Sequence, residues 1–437
     1  MNKKLGVLIL ILLGLVSTSI FLTKDASSIE PDSDIKGQED VKDDTDNQCL
    51  LLEELVEDEL ANLPQLREWY VKSPEVEDNE IDIKIALPEE KVSITYSLNN
   101  EQFNDAIFQK DNEWIISIPI EELESGVYQL DILINACDKE FVKTYNFKVS
   151  NPVYVIWSID WEGFDVKEEY LNQMSKLSST YNVPMTHFFN PYIYIYLSPS
   201  RAKYLTNWVL ERDDDSIGLH LHMYDNMVKA SGVEIDNDPA WGSPMGNGHD
   251  TPNSNYGYDD YRKIILWALN QYDANGLPRP TMYRAGGWFI DEENIAVLKN
   301  FGFEIESSGR TYYIHGRNSL EGHWNLKTTT QPYQMNSQDQ NRTDSPNINI
   351  WEYPNNGGDS WAYSAQDMIK RFSDNYKGGV VSEDIVVNYL SHPHWFDKEG
   401  PNIEGALKYV SNYTYESDNG PVIFITLDKV HEYNVKL

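Results

Sequence analysis

Four short stretches of this 437-residue chain carry residue types at spacings that suit hydrolytic chemistry. In "SIGLHLHMYDN", residues 216–226, His220 and His222 stand two apart in an apolar run. Positions i and i+2 of a β-strand share a face, so both imidazoles project the same way. "SIDWEG" spaces Asp160 and Glu162 likewise, "YRAGGW" carries Arg284, and "LSHPHWF" carries His392 and His394. One carboxylate and two neutral imidazoles can hold a divalent ion with a position left for water, whose pKa falls towards ~7. Glu162, His220 and His222 are the candidate ligands. Asp160 is the candidate base for the water's proton, and Arg284 beside it would keep that carboxylate ionised. His392, with His394 as second choice, is the candidate acid that protonates a departing amine.

Each stretch also has an ordinary structural reading. A strand-end Asp often caps a helix, and a histidine pair with no further His or Cys nearby more often packs or hydrogen-bonds. Arg284 could tie loops together, and His394 could pack on Trp395. Chemistry is favoured because four strand ends would each need a separate structural reason. Trp161, Trp288, Trp351 and Trp395 flank the same strand ends, where indole faces can cover the C–H face of a sugar ring, and are the candidate substrate-binding residues. Asn341 in "NRT" and Asn412 in "NYT" match the glycosylation sequon, a pattern short enough to arise by chance.

The elements that must position these residues follow from the patterning. From residue 151 to 437, strand-like runs such as "VYVIWSID", "SIGLHLHM" and "VVNYLSHP" alternate with helical ones such as "KEEYLNQMSKLSSTY" and "DDYRKIILWALNQY". That alternation predicts an α/β fold with a parallel sheet, a (β/α) barrel, distorted or incomplete, whose chemistry gathers at the carboxyl ends of its strands. The segment Val233–Tyr256, rich in Gly, Pro, Asn and Asp, reads as a long functional loop. Residues 75–150 hold short alternating strands and predict a small all-β sandwich, its last hairpin resembling immunoglobulin-like or fibronectin-like modules. Residues 49–74 form an amphipathic helical segment with leucines at helical spacing. Residues 24–48 form an acidic flexible linker. Residues 1–23 place two lysines before a long apolar run, the pattern of a signal peptide or N-terminal membrane anchor. The chain is therefore expected to be exported, either anchored in the membrane at the cell surface or secreted. A formal net charge of −35 excludes nucleic acid as a partner and leaves a neutral glycan open. Cys49 and Cys137 could be bridged or be two separate thiols.

Over roughly residues 151–430 the chain resembles the polysaccharide deacetylases of the NodB type, carbohydrate esterase family four. Their T-F-D-D-G becomes "SIDWEG", which keeps Asp160, has Trp161 at the second aspartate and offers Glu162 as the acid two residues on. Their H-x-x-x-H keeps His220 but has Tyr224 in the second place, with His222 as the substitute. R-x-P-x-G becomes "RAGGW" around Arg284, and L-x-H matches Leu390, Ser391 and His392. A divergent branch reads V-D-T-E-G, G-L-H-L-H and R-A-G-R-W, with some members linked to surface-polysaccharide assembly. The resemblance implies a zinc-type divalent metal and a hydrolase of carbon–nitrogen bonds that removes N-acetyl or O-acetyl groups from an extracellular or cell-envelope polysaccharide. Two other classes stand beside it: an inactive glycan-binding relic of the fold, and a glycoside hydrolase pairing Asp160 or Glu162 with Glu352. A glycosidase would need its carboxyls ~5 Å apart if retaining or ~6.5–9.5 Å if inverting.

Overall fold

The computed structural model describes residues 42–436 apart from 78–79, 110–111, 243–245, 247, 311–313 and 316–319. The expected signal or anchor and most of the acidic linker lie outside the described residues. Among those described, no helix is long and apolar enough to cross a membrane. By internal contacts the chain divides after Leu50, and residues 51–437 form one compact unit. The helix α1 (Lys42–Asn62) runs through the leucine-rich segment. Val56 is buried, whereas Leu51 and Leu55 lie exposed. Cys49 and Cys137 are both disulfide-bonded.

Eight strands follow: β1 (Trp69–Val71), β2 (Glu80–Ala86), β3 (Val92–Leu98), β4 (Asn104–Asp105), β5 (Ile107–Gln109), β6 (Glu113–Pro119), β7 (Gly126–Ala136) and β8 (Lys139–Ser150). They make one sheet of order β1-β8-β7-β3-β4 and another of order β2-β6-β5. The period-two pattern explains the layering. On β2, Ile81, Ile83 and Ile85 are buried while Glu80, Asp82 and Lys84 are exposed. Those isoleucines share a core with Ile132 and Ile134 of β7 and Phe147 of β8, so the two sheets bury one face each against the other.

A third, larger sheet is built on β9 (Val153–Asp160), all eight residues of which are buried, as a strand covered on both faces requires. Its other members are β10 (Met185–Phe189), β11 (Ser216–Leu221), β14 (Met282–Ala285), β15 (Ile305–Glu306), β18 (Tyr333–Asn336), β19 (Asn347–Glu352), β20 (Gly358–Asp359), β21 (Ile385–Ser391) and β22 (Val422–Phe424). Short ribbons β12 (Met223–Tyr224) with β13 (Asp250–Thr251), and β16 (Ile314–His315) with β17 (Leu320–Glu321), lie outside it. The order is β18-β19-β15-β14-β11-β10-β9-β21-β20, with β22 also on β9. Pairing is parallel except for β18 on β19. Among the described residues β18 and β20 do not pair, so the expected barrel is a curled, open half-barrel.

Helices α2 (Glu168–Tyr181), α3 (Ile193–Tyr196), α4 (Pro199–Leu210), α5 (Asp225–Ala230), α6 (Tyr258–Asn275), α7 (Glu292–Asn300), α8 (Ala365–Asn375), α9 (Phe396–Val410) and α10 (Leu427–Lys436) supply the crossovers and the C-terminal end. Their starts are chemically marked. Ser198 caps α4 ahead of Pro199, and Ser364 with Asp367 forms a capping box on α8. Polar bonds join the β-sandwich to the half-barrel. Asp418 accepts from the Glu68 and Trp69 amides at 2.8 and 2.9 Å, and Ser73 meets the Tyr154 hydroxyl at 2.9 Å.

Strand register brings the candidate residues together. Asp160 lies opposite Phe188 at the β9–β10 seam, and His220 lies opposite Arg284 at the β11–β14 seam. Ser391 lies opposite Ile159, so His392 leaves β21 beside the end of β9. The sandwich core depends on the burial pattern alone, which a substitution can test. Ile132→Ala is expected to destabilise the protein by ~2–5 kcal/mol, against less than ~0.5 kcal/mol for the exposed Ser93→Ala, read by chemical denaturation.

Candidate active site

Glu162, two residues beyond β9, is 4 % exposed and sits at the centre of a ring of imidazoles. His222 Nε2 is 2.6 Å from its Oε2, while His220 Nε2 and His392 Nε2 lie 3.7 and 3.5 Å from its Oε1. The Tyr224 hydroxyl donates to Oε2 at 3.2 Å. Burial alone would raise the Glu162 pKa, but His222 and His220 hold it well below the usual carboxylate range. One donor atom each from Glu162, His220 and His222 fall within 4.8 Å of one another.

The far nitrogens of both histidines are engaged, which fixes where the near ones point. His220 Nδ1 donates to the Arg284 carbonyl at 2.9 Å, and His222 Nδ1 meets Asp250 Oδ2 at 2.8 Å. Among the described residues, His220 Nε2 is buried without a hydrogen-bond partner. A buried imidazole nitrogen without a hydrogen-bond partner, next to a carboxylate and a second imidazole, completes a donor set that fits a divalent cation. Burial opposes charging of His222, yet Asp250 and Glu162 on its two sides raise its pKa well above the ordinary histidine value.

Asp160 faces the same space from the end of β9. Arg284 Nη1 donates to its Oδ1 at 2.8 Å and to Ser158 Oγ at 2.9 Å, and the guanidinium is anchored on the Ser307 carbonyl and hydroxyl at 2.7 and 2.8 Å. On the other wall, His392 Nδ1 lies 3.1 Å from Glu399 Oε1 and 3.7 Å from Asp359 Oδ1. Burial disfavours the imidazolium, but Glu399 and Asp359 prevail and hold His392 up at about 10. Burial together with Glu399 raises Asp359 to about 7, against the pull of His392. For His394 burial prevails over the Glu162 charge and pushes it down to about 3, while its ring lies 3.8 Å from that of Trp395.

The structure thus gathers Asp160, Glu162, His220, His222, Arg284 and His392 at one end of the half-barrel. Trp395 stands beside them, its ring 5.3 Å from His392, and Trp288 lies under the Arg310 guanidinium at 4.5 Å. The other two tryptophans are placed elsewhere. Trp161 is 2 % exposed and donates to His187 Nδ1 at 3.2 Å, its ring packed on Phe189 and Trp208. Trp351 packs on Tyr353 and His431 in the smaller core. For Trp161 the pleat is the reason, because its neighbours Asp160 and Glu162 face the site and the residue between them must face away. Motif reasoning passed over Asp250, Asp359, Glu399 and Trp241. Trp241 stacks on His222 at 5.5 Å and 5°, opposite Tyr224 at 5.2 Å and 8°. Its one legible signal was the Gly- and Asp-rich loop that carries it.

Glu352, the expected glycosidase partner, is turned to another carboxyl. It accepts from the Gly309 amide at 2.8 Å and lies beside Glu306, which itself accepts from Ser308. Both carboxyls are wholly buried, with Arg284 and Tyr333 near them. Burial raises both pKa values, and the Glu306 charge raises Glu352 further. Two buried carboxyls side by side share a proton rather than both ionise. Because the folded pKa values lie above the unfolded ones, folding takes up protons in that window, and stability falls as pH rises through it. Glu352→Gln keeps an acceptor for Gly309 and gains a donor for Glu306. Its melting temperature is expected to fall less steeply than that of the wild type as pH is raised above the ordinary carboxyl range. Equal slopes would show that the pair is not protonated in the fold.

No family model matches the chain, and no curated protein matches it. Among solved structures, the chain is similar to a protein described as a polysaccharide deacetylase from Mycobacterium smegmatis, with 13% identity and TM-score 0.41, covering 65% of this chain and 92% of that one. It is similar to the peptidoglycan deacetylase of Bacillus subtilis, with 11% identity and TM-score 0.34, covering 65% and 93%. It is also similar to a family 4 carbohydrate esterase from Streptomyces lividans in complex with acetate, with 10% identity and TM-score 0.31, covering 60% and 88%.

Proposed function

We propose that the chain is a metal-dependent hydrolase that removes N-acetyl, or O-acetyl, groups from an extracellular or cell-envelope polysaccharide. The observation that carries this reading is the convergence of Glu162, His220 and His222 around a bare His220 Nε2, with Asp160 held beside them by Arg284. Two imidazoles and one carboxylate suit zinc. When bound there, a divalent ion would supply Lewis acidity and a water of lowered pKa.

The chain's own residues divide the remaining work. Asp160, oriented by Arg284, accepts a proton from the attacking water as its oxygen adds to the acetyl carbonyl. His392 is held by Glu399 through Nδ1 and presents Nε2 to the opposite side of the site, where it gives a proton to the leaving amine as the C–N bond breaks. Acetate and a free amino sugar result. Trp395, with Trp361 at 6.1 Å and 36 % exposed, and Trp288 offer indole surface for sugar rings at the rim.

The same reading assigns residues 1–23 to a signal peptide or anchor and 24–48 to a spacer. Residues 75–150 become an immunoglobulin-like sandwich in front of the 151–437 deacetylase unit. The oxidised state of Cys49 and Cys137 supports export.

Metal content and acetate release, measured on the same preparations with N-acetylated chitooligosaccharide, test the assignment. His220→Ala and His222→Ala are expected to lose both metal and turnover. Asp160→Asn is expected to keep metal and lose turnover by ~10²–10⁴-fold. Metal-free wild-type protein after zinc loading, or full turnover in His220→Ala/His222→Ala, would end the proposal.

A further inference from the structure

Resting on the ligand set proposed above, the structure assigns Asp250 and Trp241 as the positioning residues that make His222 a metal ligand. Two residues between α5 and α6 thereby join the metal site. The argument starts from the departure at "LHLHMY". His222 follows His220 by two residues, and the ring at position 224 is a tyrosine. The Tyr224 hydroxyl goes to Glu162 and its ring lies parallel to His222, so it braces the site from one side.

The loop supplies the other side. The Asp250 carboxylate takes the Nδ1–H of His222 at 2.8 Å, which leaves Nε2 as the nitrogen facing Glu162 at 2.6 Å. Asp250 is 1 % exposed, so its hydrogen bond is not shared with bulk water. Trp241 stacks on His222, ring parallel to ring, and its indole lies close enough to Asp250 to favour the carboxylate. The Trp241 amide donates to the Asp250 carbonyl at 3.0 Å, and Tyr224 pairs with Asp250 through β12–β13. One imidazole is thus gripped between two parallel rings and a carboxylate.

"RAGGW" makes room for this arrangement. A Cβ on Gly286 would stand 2.6 Å from His222 Cγ, and one on Gly287 would collide with the Trp241 ring. Gly287 also has φ +61°, the left-handed region that side chains avoid. The two glycines therefore serve as the floor under the His222–Trp241 stack. A carboxylate on the far nitrogen of a ligating histidine fixes its tautomer and increases its basicity, and losing it costs ~10–100-fold in metal affinity.

Cobalt titration of the metal-stripped full chain, followed by the visible absorption of the bound ion, tests this directly. Asp250→Ala is expected to bind cobalt ~10–100-fold more weakly and with an altered ligand-field spectrum, while retaining the wild-type circular dichroism. Gly287→Ala leaves Asp250 in place but denies the Trp241 ring its seat, and is expected to weaken binding in the same direction. His249→Ala, an exposed histidine of the same loop, should bind as wild type. Wild-type affinity and spectrum in Asp250→Ala overturn the inference while leaving the ligand set standing. If Asp250→Ala does not fold, wild-type behaviour of Gly287→Ala overturns it instead. A wild-type chain that binds no cobalt removes the ligand set and this inference together.

Discussion

Glu162 is a carboxylate taken out of water at the mouth of a half-barrel, and most of the polar structure around it answers that fact. An isolated buried charge costs far more than any single hydrogen bond returns, so it persists only where opposite charge and donors meet it. Here three imidazole nitrogens and a phenol converge on its two oxygens. Each of those imidazoles has its own outer partner: the Arg284 carbonyl for His220, Asp250 for His222, and Glu399 with Asp359 for His392. Asp160, Glu162, Asp250, Asp359 and Glu399 crowd into one site balanced by Arg284 and the histidines. A divalent cation among them would relieve that crowding, and the bare His220 nitrogen offers it a place.

The backbone carries the rest. Parallel strands end side by side, so residues far apart in sequence, such as His220 and Arg284, become register neighbours. Arg284 is fully buried and holds Ser158, Asp160 and Ser307 at once, tying the ends of three strands to one rigid plane. Behind the site, Trp161 is locked by His187, whose Nε2 meets Asp215 at 3.0 Å. That chain of contacts fixes the short segment on which both Asp160 and Glu162 ride. Preorganisation of this kind lets a site of mobile charges keep one geometry.

Much of this was legible in the sequence. Paired polar residues at i and i+2 on apolar strands announced the faces of β9 and β11. The alternation of Ile81, Ile83 and Ile85 announced the sandwich core. What escaped notice follows from the same physics. Trp161 and Trp351 were expected at the substrate because they flank the strand ends, yet Trp161 lies between Asp160 and Glu162, and the pleat sends adjacent side chains to opposite faces. Asp250 opens the two-residue strand β13, 28 residues after His222, and no periodicity links the two. Glu399 sits in the first turn of α9, seven residues past His392, where the chain has already turned back through Pro393 and the 3₁₀ turn. The openness of the sheet was equally hidden, because strand runs count strands without saying which edges meet.

The central claim is that Glu162, His220 and His222 together hold one metal ion. X-ray absorption at the zinc edge of the loaded chain reads that shell directly. The account expects two imidazole nitrogens at ~2.0–2.1 Å with carboxylate oxygen beside them. One imidazole should vanish from the spectrum in His220→Ala and one in His222→Ala. A zinc shell that contains no imidazole, or that is unchanged in both variants, would contradict it.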